Sequence, residues 1–196
     1  MYTMILRAHN LCYATMLPPA SARPFVIPTV EYEEHNGQRF VTESVVKGLI
    51  PEVVEQLQDC RTRAKLAYAA ATDPAVKRIC KARELAFKIV GNSVYGALGS
   101  SQSMLPLMQI AETVTAIGRN DIMTVKALAE RMFPDGKVVY GDTDSVFVRF
   151  TVSDASDVQA SVEEAMAKAK VLAAAVNEKM QKPKNIAFEK VSASLI

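Results

Sequence analysis

The spacing of apolar residues along the chain predicts four helices and several short strands. Apolar side chains recur at helical spacing after Pro51, namely at Val53, Val54, Leu57, Cys60 and Ala64. This first helix fades around residues 70–72. A second helix begins at Asp73-Pro74, an N-cap followed by a proline in the first turn, and continues to about residues 94–98. The short joint between the two predicts an antiparallel helix hairpin.

A third helix is predicted at residues 107–132, where it ends before Pro134-Asp135-Gly136. Two β-rich runs follow, at residues 137–140 and 146–151, and the polar residues 141–145 separate them. This pattern predicts a β-hairpin with acidic residues at its tip.

The remaining segments add a loop, a fourth helix and a strand. Residues 17–42 contain four prolines and read as loop, with a hairpin turning at Asn36-Gly37. An Ala-rich helix is expected to start at Asp154 or Ser156, and residues 186–191 are expected to form a final strand. The order of the elements predicts an α+β fold, in which helices pack on an antiparallel sheet.

Composition narrows the class of protein. Apolar residues make up 49% of the chain, which predicts a folded protein, and no apolar run is long enough to predict a membrane span. The first residues lack the features of a signal peptide, so secretion is not expected. Cys12, Cys60 and Cys80 are widely spaced and fit neither a disulfide framework nor a zinc site, which favours a reducing compartment.

Charge is distributed unevenly along the chain. The formal net charge is only +2, but residues 61–88 contain eight Lys or Arg and two Asp or Glu. Such an excess could bind phosphate groups or could simply be a solvated helix face.

Asp142 and Asp144 flank a single residue at the tip of the predicted hairpin. Two carboxylates so close together repel each other unless a cation lies between them. Mg²⁺ suits such a site because it takes oxygen ligands and keeps positions open for substrate phosphates. A bare Asp-x-Asp is more often a polar turn, whereas the full run Tyr140–Ser145 between two β-rich segments is far more specific.

Several motifs together resemble family B DNA polymerases of the delta type. Residues 140–145, YGDTDS, are similar to the third palm motif of that family, and residues 88–96 are similar to its fingers motif Lys-x₃-Asn-Ser-x-Tyr-Gly. Residues 47–51 with residues 61–65 resemble the first fingers helix, and residues 5–16 resemble the stretch that follows the first palm motif. The resemblance covers nearly the whole chain, in the order that the family has.

The resemblance implies a DNA-directed DNA polymerase, a nucleotidyltransferase that adds dNTPs to a primer 3′-end in DNA replication by two-metal phosphoryl transfer. It implies an antiparallel palm sheet with a catalytic hairpin and packed helices, and a fingers subdomain made of a long antiparallel helix hairpin. The expected divisions are part of the palm with a Pro-rich loop at 1–46, fingers at 47–98 and further palm at 99–196.

The resemblance also assigns roles to residues. Asp142 and Asp144 are expected to be catalytic and to bind two Mg²⁺ ions. The expected nucleotide-binding residues are Arg61, Lys65, Lys88, Asn92, Tyr95 and Tyr2. Tyr95 is expected near the nascent base pair, and Tyr2 under the sugar, where it would exclude a 2′-hydroxyl. The expected DNA-binding residues are Lys190, Tyr140 and Thr143.

Further expectations concern the parent protein. The family's first palm motif has an aspartate five residues before the position of Tyr2, which falls before Met1. The sequence is therefore interpreted as a partial chain that, in isolation, binds metal poorly and polymerises little. Expected partners are primer–template DNA, dNTPs and a sliding clamp or accessory subunits, with no membrane, in the nucleus or at a viral replication site.

Two alternatives stay open at this point. A reverse transcriptase also has an acidic hairpin, but there the aspartates are adjacent, whereas Asp142 and Asp144 are separated by one residue. A non-catalytic module that binds nucleic acid or nucleotide could retain the fold without the chemistry. The sequence alone does not distinguish a cellular parent from one of a large DNA virus.

Overall fold

The computed structural model describes residues 1–18, 30–134, 136–142, 144–153 and 157–192. These residues form five helices and two separate two-stranded antiparallel sheets, which is an α+β fold. The helices are α1 (Tyr2–Ala8), α2 (Leu49–Ala70), α3 (Pro74–Leu98), α4 (Met108–Met132) and α5 (Val158–Lys179), and the strands are β1 (Tyr32–His35), β2 (Gln38–Val41), β3 (Lys137–Asp142) and β4 (Ser145–Arg149). Within the described ranges, no helix combines the length and the apolar character needed to cross a membrane.

The chain divides into two units. The first unit is Tyr2–Ile117, which contains α1 to α3 and the β1–β2 hairpin. The second unit consists of Met1 and Gly118–Ile196, and it contains the β3–β4 hairpin and α5. The division falls within α4, at Gly118, so each unit includes a part of that helix.

Helices α2 and α3 form the predicted antiparallel hairpin. Asp73 caps α3 by accepting a hydrogen bond from the backbone N–H of Ala75 at 2.7 Å, and Pro74 occupies the first turn. Two cross-helix contacts show the direction of packing, because Arg61 of α2 meets Glu84 of α3, whereas the later Tyr68 of α2 meets the earlier Lys77 of α3. A helix hairpin of this kind brings side chains of both helices to one surface.

Helix α1 was not predicted from the sequence. Its seven residues are too few for the apolar period to be visible, and a helix of that length is not stable alone. Packing holds it in place, because Ile5 and Leu6 are fully buried. Arg7 adds an ion pair to Glu55 of α2 and a 3.3 Å hydrogen bond to the side chain of Gln58.

The β1–β2 hairpin turns at Asn36-Gly37, as predicted. Asn36 has φ of 52° and Gly37 of 73°, the left-handed conformations that a tight two-residue hairpin requires. Hydrogen bonds attach β2 to the segment after α1, because the N–H of Val41 donates to the carbonyl of Thr15 at 2.8 Å. Phe40, the neighbour of Val41 in β2, is fully buried.

Asn10 organises the loops next to this hairpin. Its amide nitrogen donates to the carbonyls of Val41 and Val46, both at 2.8 Å, and its amide oxygen accepts from the N–H of Gly48 at 2.8 Å. Gly48 cannot carry a side chain in this position, since an added Cβ would lie 2.6 Å from the Cβ of Cys12. Asn10 and Gly48 therefore fix the start of α2 against the end of α1.

The second unit has its own core. The buried residues come from α4 and α5, and they are Val125, Leu128, Ala129, Leu172 and Val176. The β3–β4 hairpin packs on this core through three partly buried valines, Val138, Val146 and Val148. The two helices thus support one face of the hairpin.

Two sequence predictions in this unit need correction. Helix α5 begins at Val158, and its N-cap is Asp157, which accepts hydrogen bonds from two backbone N–H groups; Asp154 and Ser156 lie outside the described residues. The predicted strand at 186–191 is wrong, because the described part of this segment is not paired as a strand. The side chain of Asn177 bonds both the N–H and the carbonyl of Ile186 at 2.8 Å, and so takes the place of a partner strand.

Candidate functional site

The β3–β4 hairpin brings Asp142 and Asp144 to one end of the second unit. Asp142 pairs with Ser145, and Tyr140 pairs with Phe147, as positions of one antiparallel ladder. The register shifts between Val138 and Tyr140, which is a bulge in β3. Bulges re-aim the side chains that follow them, and here Val138, before the bulge, packs on the core, whereas Asp142, after it, is exposed.

The tip of the hairpin is tight and exposed. The backbone N–H of Asp144 donates to the carbonyl of Asp142 at 2.5 Å, and the hydroxyl of Ser145 donates to the same carbonyl at 3.4 Å. Both aspartates are exposed to solvent. Gly141 lies against α4, where an added Cβ would be 3.5 Å from Ile122. The tip therefore offers carboxylate oxygens, the donors that hard divalent cations prefer.

Helices α2 and α3 enclose a groove of about 300 Å³, which we call the basic groove. Four basic side chains line it, together with one carboxylate, and they are Arg61, Arg78, Lys81, Lys88 and Glu84. Arg61 and Lys88 were predicted from the sequence to act together, and here they line the same groove. Arg78, Lys81 and Glu84 were not predicted, although their spacing along α3 carries them to this surface.

Glu84 neutralises part of the basic groove. Its carboxylate lies 3.2 Å from Arg61, 2.7 Å from Lys81 and 4.0 Å from Lys65. The hydrogen bond from Lys81 lowers the pKa of Glu84, and Arg61 lowers it further. Glu84 is thus a carboxylate anchored among three cations, at the position where an anionic ligand would bind them.

A second, smaller cavity adjoins the basic groove. Arg61 and Lys88 line it as well, and Asn92 lies beside them with Thr3 and Gly91. Among the described residues, the Nε atom of Arg61 is buried and has no hydrogen-bond partner. A buried donor without an acceptor is costly, so an anion that reached this atom would be bound favourably.

Tyr2 and Tyr95 meet within the first unit. Their rings stack with centroids 4.1 Å apart and planes 5° from parallel. Burial raises the pKa of Tyr95, and the neighbouring Tyr2 raises it further. Tyr2 is in the first turn of α1 and Tyr95 in the last turn of α3, so the helix that the sequence did not predict is the one that brings these rings together.

The structure does not bring the three predicted DNA-binding residues together at one surface, as far as they are described. Tyr140 is exposed, and its ring is edge-to-face with Phe147 at 5.7 Å. Lys190 is exposed in the segment after α5, outside any strand. Thr143 lies outside the described residues.

Comparison with known proteins gives the family. The sequence model of DNA polymerase family B matches residues 1–196. The chain belongs to family B of the DNA polymerases.

Similar family B proteins agree with this assignment. The chain is 40% identical over 199 residues to the DNA polymerase delta catalytic subunit of Mesocricetus auratus. This alignment covers 97% of this chain and 17% of that subunit. The chain is 39% identical to the delta catalytic subunit of Glycine max, covering 97% and 18%. It therefore spans less than a fifth of the length of these relatives.

A solved structure is similar as well. The family B DNA polymerase of the hyperthermophilic archaeon Pyrobaculum calidifontis superimposes with a TM-score of 0.63 at 28% sequence identity. The similarity covers 85% of this chain and 21% of that one. The α+β arrangement of the chain is thus one found in a family B polymerase.

Proposed function

We propose that the protein carrying this chain is a DNA-directed DNA polymerase of DNA replication, which adds dNTPs to a primer 3′-end. The observation that supports this best is the basic groove between α2 and α3. Arg61 and Lys88 lie 27 positions apart in the sequence, yet both line it, and Asn92 lies in the adjoining cavity. The α2–α3 hairpin corresponds in this proposal to the polymerase fingers, and the β3–β4 hairpin to the catalytic hairpin of the palm.

The basic groove would bind the triphosphate of the incoming dNTP. Arg61 can donate to phosphate oxygens in a fork, and its buried Nε supplies a donor that lacks an acceptor among the described residues. Lys65 and Lys88 add point charges. Charge that develops on the phosphates during transfer is stabilised by such fixed cations, which is the main contribution that a protein makes to phosphoryl transfer.

Asp142 and Asp144 would hold divalent metal ions, for which Mg²⁺ is the best fit. Both side chains are exposed carboxylates at one hairpin end, and hard oxygen donors suit this ion. Bound at these carboxylates, divalent ions would supply Lewis-acid activation of a 3′-oxygen and charge neutralisation for phosphates. The two aspartates contribute negative charge and oxygen donors, and the tight hairpin restricts where they can point.

Tyr95 and Tyr2 would contact the nucleotide from their stacked position. In this proposal Tyr95 lies near the nascent base pair, and Tyr2 occupies the space that a 2′-hydroxyl would need. Lys190, Tyr140 and Thr143 would contact the DNA. Because the relatives are delta catalytic subunits of a mammal and a plant, the proposal includes a nuclear location. Primer–template DNA, with a sliding clamp or accessory subunits, completes the proposed set of partners.

Nucleotide binding by the 196-residue chain tests the role of the basic groove. We expect a fluorescent dNTP to bind the chain, as measured by anisotropy, and Lys88→Met to weaken binding by about tenfold, because one charge-assisted contact is lost. Lys77→Met is the matched control, since Lys77 is on the same helix but lies over Tyr68, away from the groove. Equal affinities of the two variants would contradict the proposal.

A further inference from the structure

The only two histidines of the chain lie side by side in the first unit. His9 follows α1 and His35 ends β1, and their rings meet edge-to-face with centroids 4.5 Å apart. Glu33 joins them, because one of its carboxylate oxygens lies 3.0 Å from Nδ1 of His9 and 2.9 Å from Nε2 of His35. His9 is buried, and the other two side chains are half-buried. The proposed nucleotide-binding residues do not include any of the three.

We propose that His9, Glu33 and His35 form a binding site for a divalent transition-metal ion, with Zn²⁺ as the best fit. Each residue offers one ligand atom, and the three atoms lie within 4.8 Å of one another. In a tetrahedral zinc site with bonds of about 2.0–2.1 Å, neighbouring ligand atoms are about 3.3 Å apart. The two nitrogen–oxygen separations, 3.0 and 2.9 Å, differ from that value by only a few tenths of an ångström.

The donor types select the class of metal. Two imidazoles are borderline ligands that suit Zn²⁺ and its neighbours, and zinc sites also accept one carboxylate, whereas Mg²⁺ prefers an octahedron of oxygens. Three protein ligands leave a fourth position, which water can occupy. The site therefore differs in chemistry from the carboxylate tip formed by Asp142 and Asp144.

The fold holds the three ligands in place. Glu33 and His35 are two residues apart in β1, so their side chains project from the same face of the strand. The Asn36-Gly37 turn pairs β1 with β2, in a register that sets His35 opposite Gln38. The amide of Asn10, the residue next to His9, bonds the carbonyl of Val41 in β2. Both histidines are thus attached to the same hairpin by backbone and side-chain hydrogen bonds.

A metal ion here would act as a clamp. It would connect the end of α1 to β1, and so would hold the short helix that carries Tyr2 at its other end. Because the imidazoles must be deprotonated to bind a metal, the affinity is expected to fall as the pH falls. A metal ion that binds the folded state and not the unfolded state also raises the free energy of unfolding by mass action.

Cobalt(II) titration of the metal-free 196-residue chain tests the site. We expect one Co²⁺ per chain with the visible absorption bands of tetrahedral coordination, and displacement of the Co²⁺ by Zn²⁺. His35→Gln is expected to weaken binding by at least about 100-fold, since loss even of an outer partner of a ligand costs 10–100-fold. Glu33→Gln, which keeps the size of the side chain, should weaken binding as well.

Two controls separate this site from other donors. The double variant Asp142→Asn/Asp144→Asn should keep the cobalt spectrum, and so should Cys60→Ser/Cys80→Ser. Circular dichroism of the metal-free His35→Gln variant verifies its folding, and Zn²⁺ should raise the melting temperature of the native chain but not of this variant. The inference is overturned if the native chain binds no Co²⁺, if His35→Gln binds it as tightly, or if the hairpin or cysteine variants lose it.

Discussion

The aromatic rings of Tyr2 and Tyr95 stack in parallel, 4.1 Å apart between centroids. This contact connects the first turn of α1 to the last turn of α3, and it is made by two residues that the sequence resemblance assigned separately to the nucleotide. A stacked pair of this kind fixes both rings, so the surface that they present to a ligand is set before the ligand arrives.

Removal of either ring should weaken the folded state, and the two losses should not add. Aromatic pairs contribute about 0.5–1.5 kcal/mol beyond their buried area. We expect a double-mutant cycle of Tyr2→Ala and Tyr95→Ala, measured by urea unfolding, to give a coupling energy of about 1 kcal/mol. Tyr2→Ala combined with Tyr68→Ala, a residue near the far end of α2, should be additive. A coupling energy near zero for Tyr2 with Tyr95 would show that the stacking does not exist in solution.

The raised pKa of Tyr95 predicts a loss of stability in alkali. Tyrosine in an unfolded chain titrates near pH 10, and burial with the neighbouring Tyr2 raises the folded-state pKa above that value. The folded chain therefore holds the proton of Tyr95 more tightly than the unfolded chain does. The stability that this protonated tyrosine contributes is fully present below about pH 10 and is lost as the pH rises through the folded-state pKa. Tyr95→Phe, which cannot ionise, should lose less stability than the native chain between about pH 9 and 11, as measured by urea unfolding at each pH. Tyr68→Phe serves as the control and should retain the native pH slope.

Glu84 is predicted to compete with phosphate for the basic groove. Its carboxylate pairs with Arg61 and Lys81. Glu84→Gln should therefore strengthen dNTP binding by roughly two- to fivefold, the range that a partly exposed ion pair allows. Glu52→Gln is the control, because Glu52 is an exposed glutamate in the first turn of α2 and its loss removes the same charge elsewhere. It should leave the affinity for the dNTP within about 1.5-fold in moderate salt, because salt screens distant charges. Weaker binding by Glu84→Gln than by Glu52→Gln would assign Glu84 a supporting role instead.

The buried ion pair in the second unit should be important for stability. Nζ of Lys184 donates to both carboxylate oxygens of Asp121, at 2.9 and 3.0 Å, and only 8% of the lysine side chain is exposed. Lys184→Met would leave that carboxylate largely buried without its cation, which we expect to cost about 3 kcal/mol in urea unfolding. Lys182→Met, at an exposed position two residues earlier, should change the stability by no more than about 0.5 kcal/mol. Adding Asp121→Asn to Lys184→Met should recover part of the loss, and no recovery would mean that lost packing causes it.

The sequence predicted those elements whose signal is local. Asp73-Pro74 determines where α3 begins, and Asn36-Gly37 determines a hairpin turn, because the backbone conformations at these positions depend on the residues themselves. The long helices α2, α3 and α4 follow from an apolar period that continues over many turns. The β3–β4 hairpin also has a local signal, which is a pair of β-rich runs on either side of a polar tip.

The parts that were missed depend on residues that are distant in sequence. Helix α1 has too few turns to show a period and is held by contacts with α2. The segment after α5 has the composition of a strand, but the side chain of Asn177 takes the place that a partner strand would need. Glu84 and the cluster of His9, Glu33 and His35 are ordinary polar residues until the fold brings their partners close.

Our main proposal is that this chain supplies part of the active site of a DNA-directed DNA polymerase of family B. Primer extension after a segment exchange is its strictest test, with residues 1–196 replacing the matching region of the Mesocricetus auratus delta catalytic subunit. We expect the exchanged enzyme to extend a primer with Mg²⁺, and Asp142→Asn and Asp144→Asn each to reduce the rate by at least about 100-fold, whereas Asp59→Asn, an exposed aspartate on α2, should not. A folded exchanged enzyme that cannot extend the primer, or one in which Asp142→Asn is as active as Asp59→Asn, would contradict the proposal.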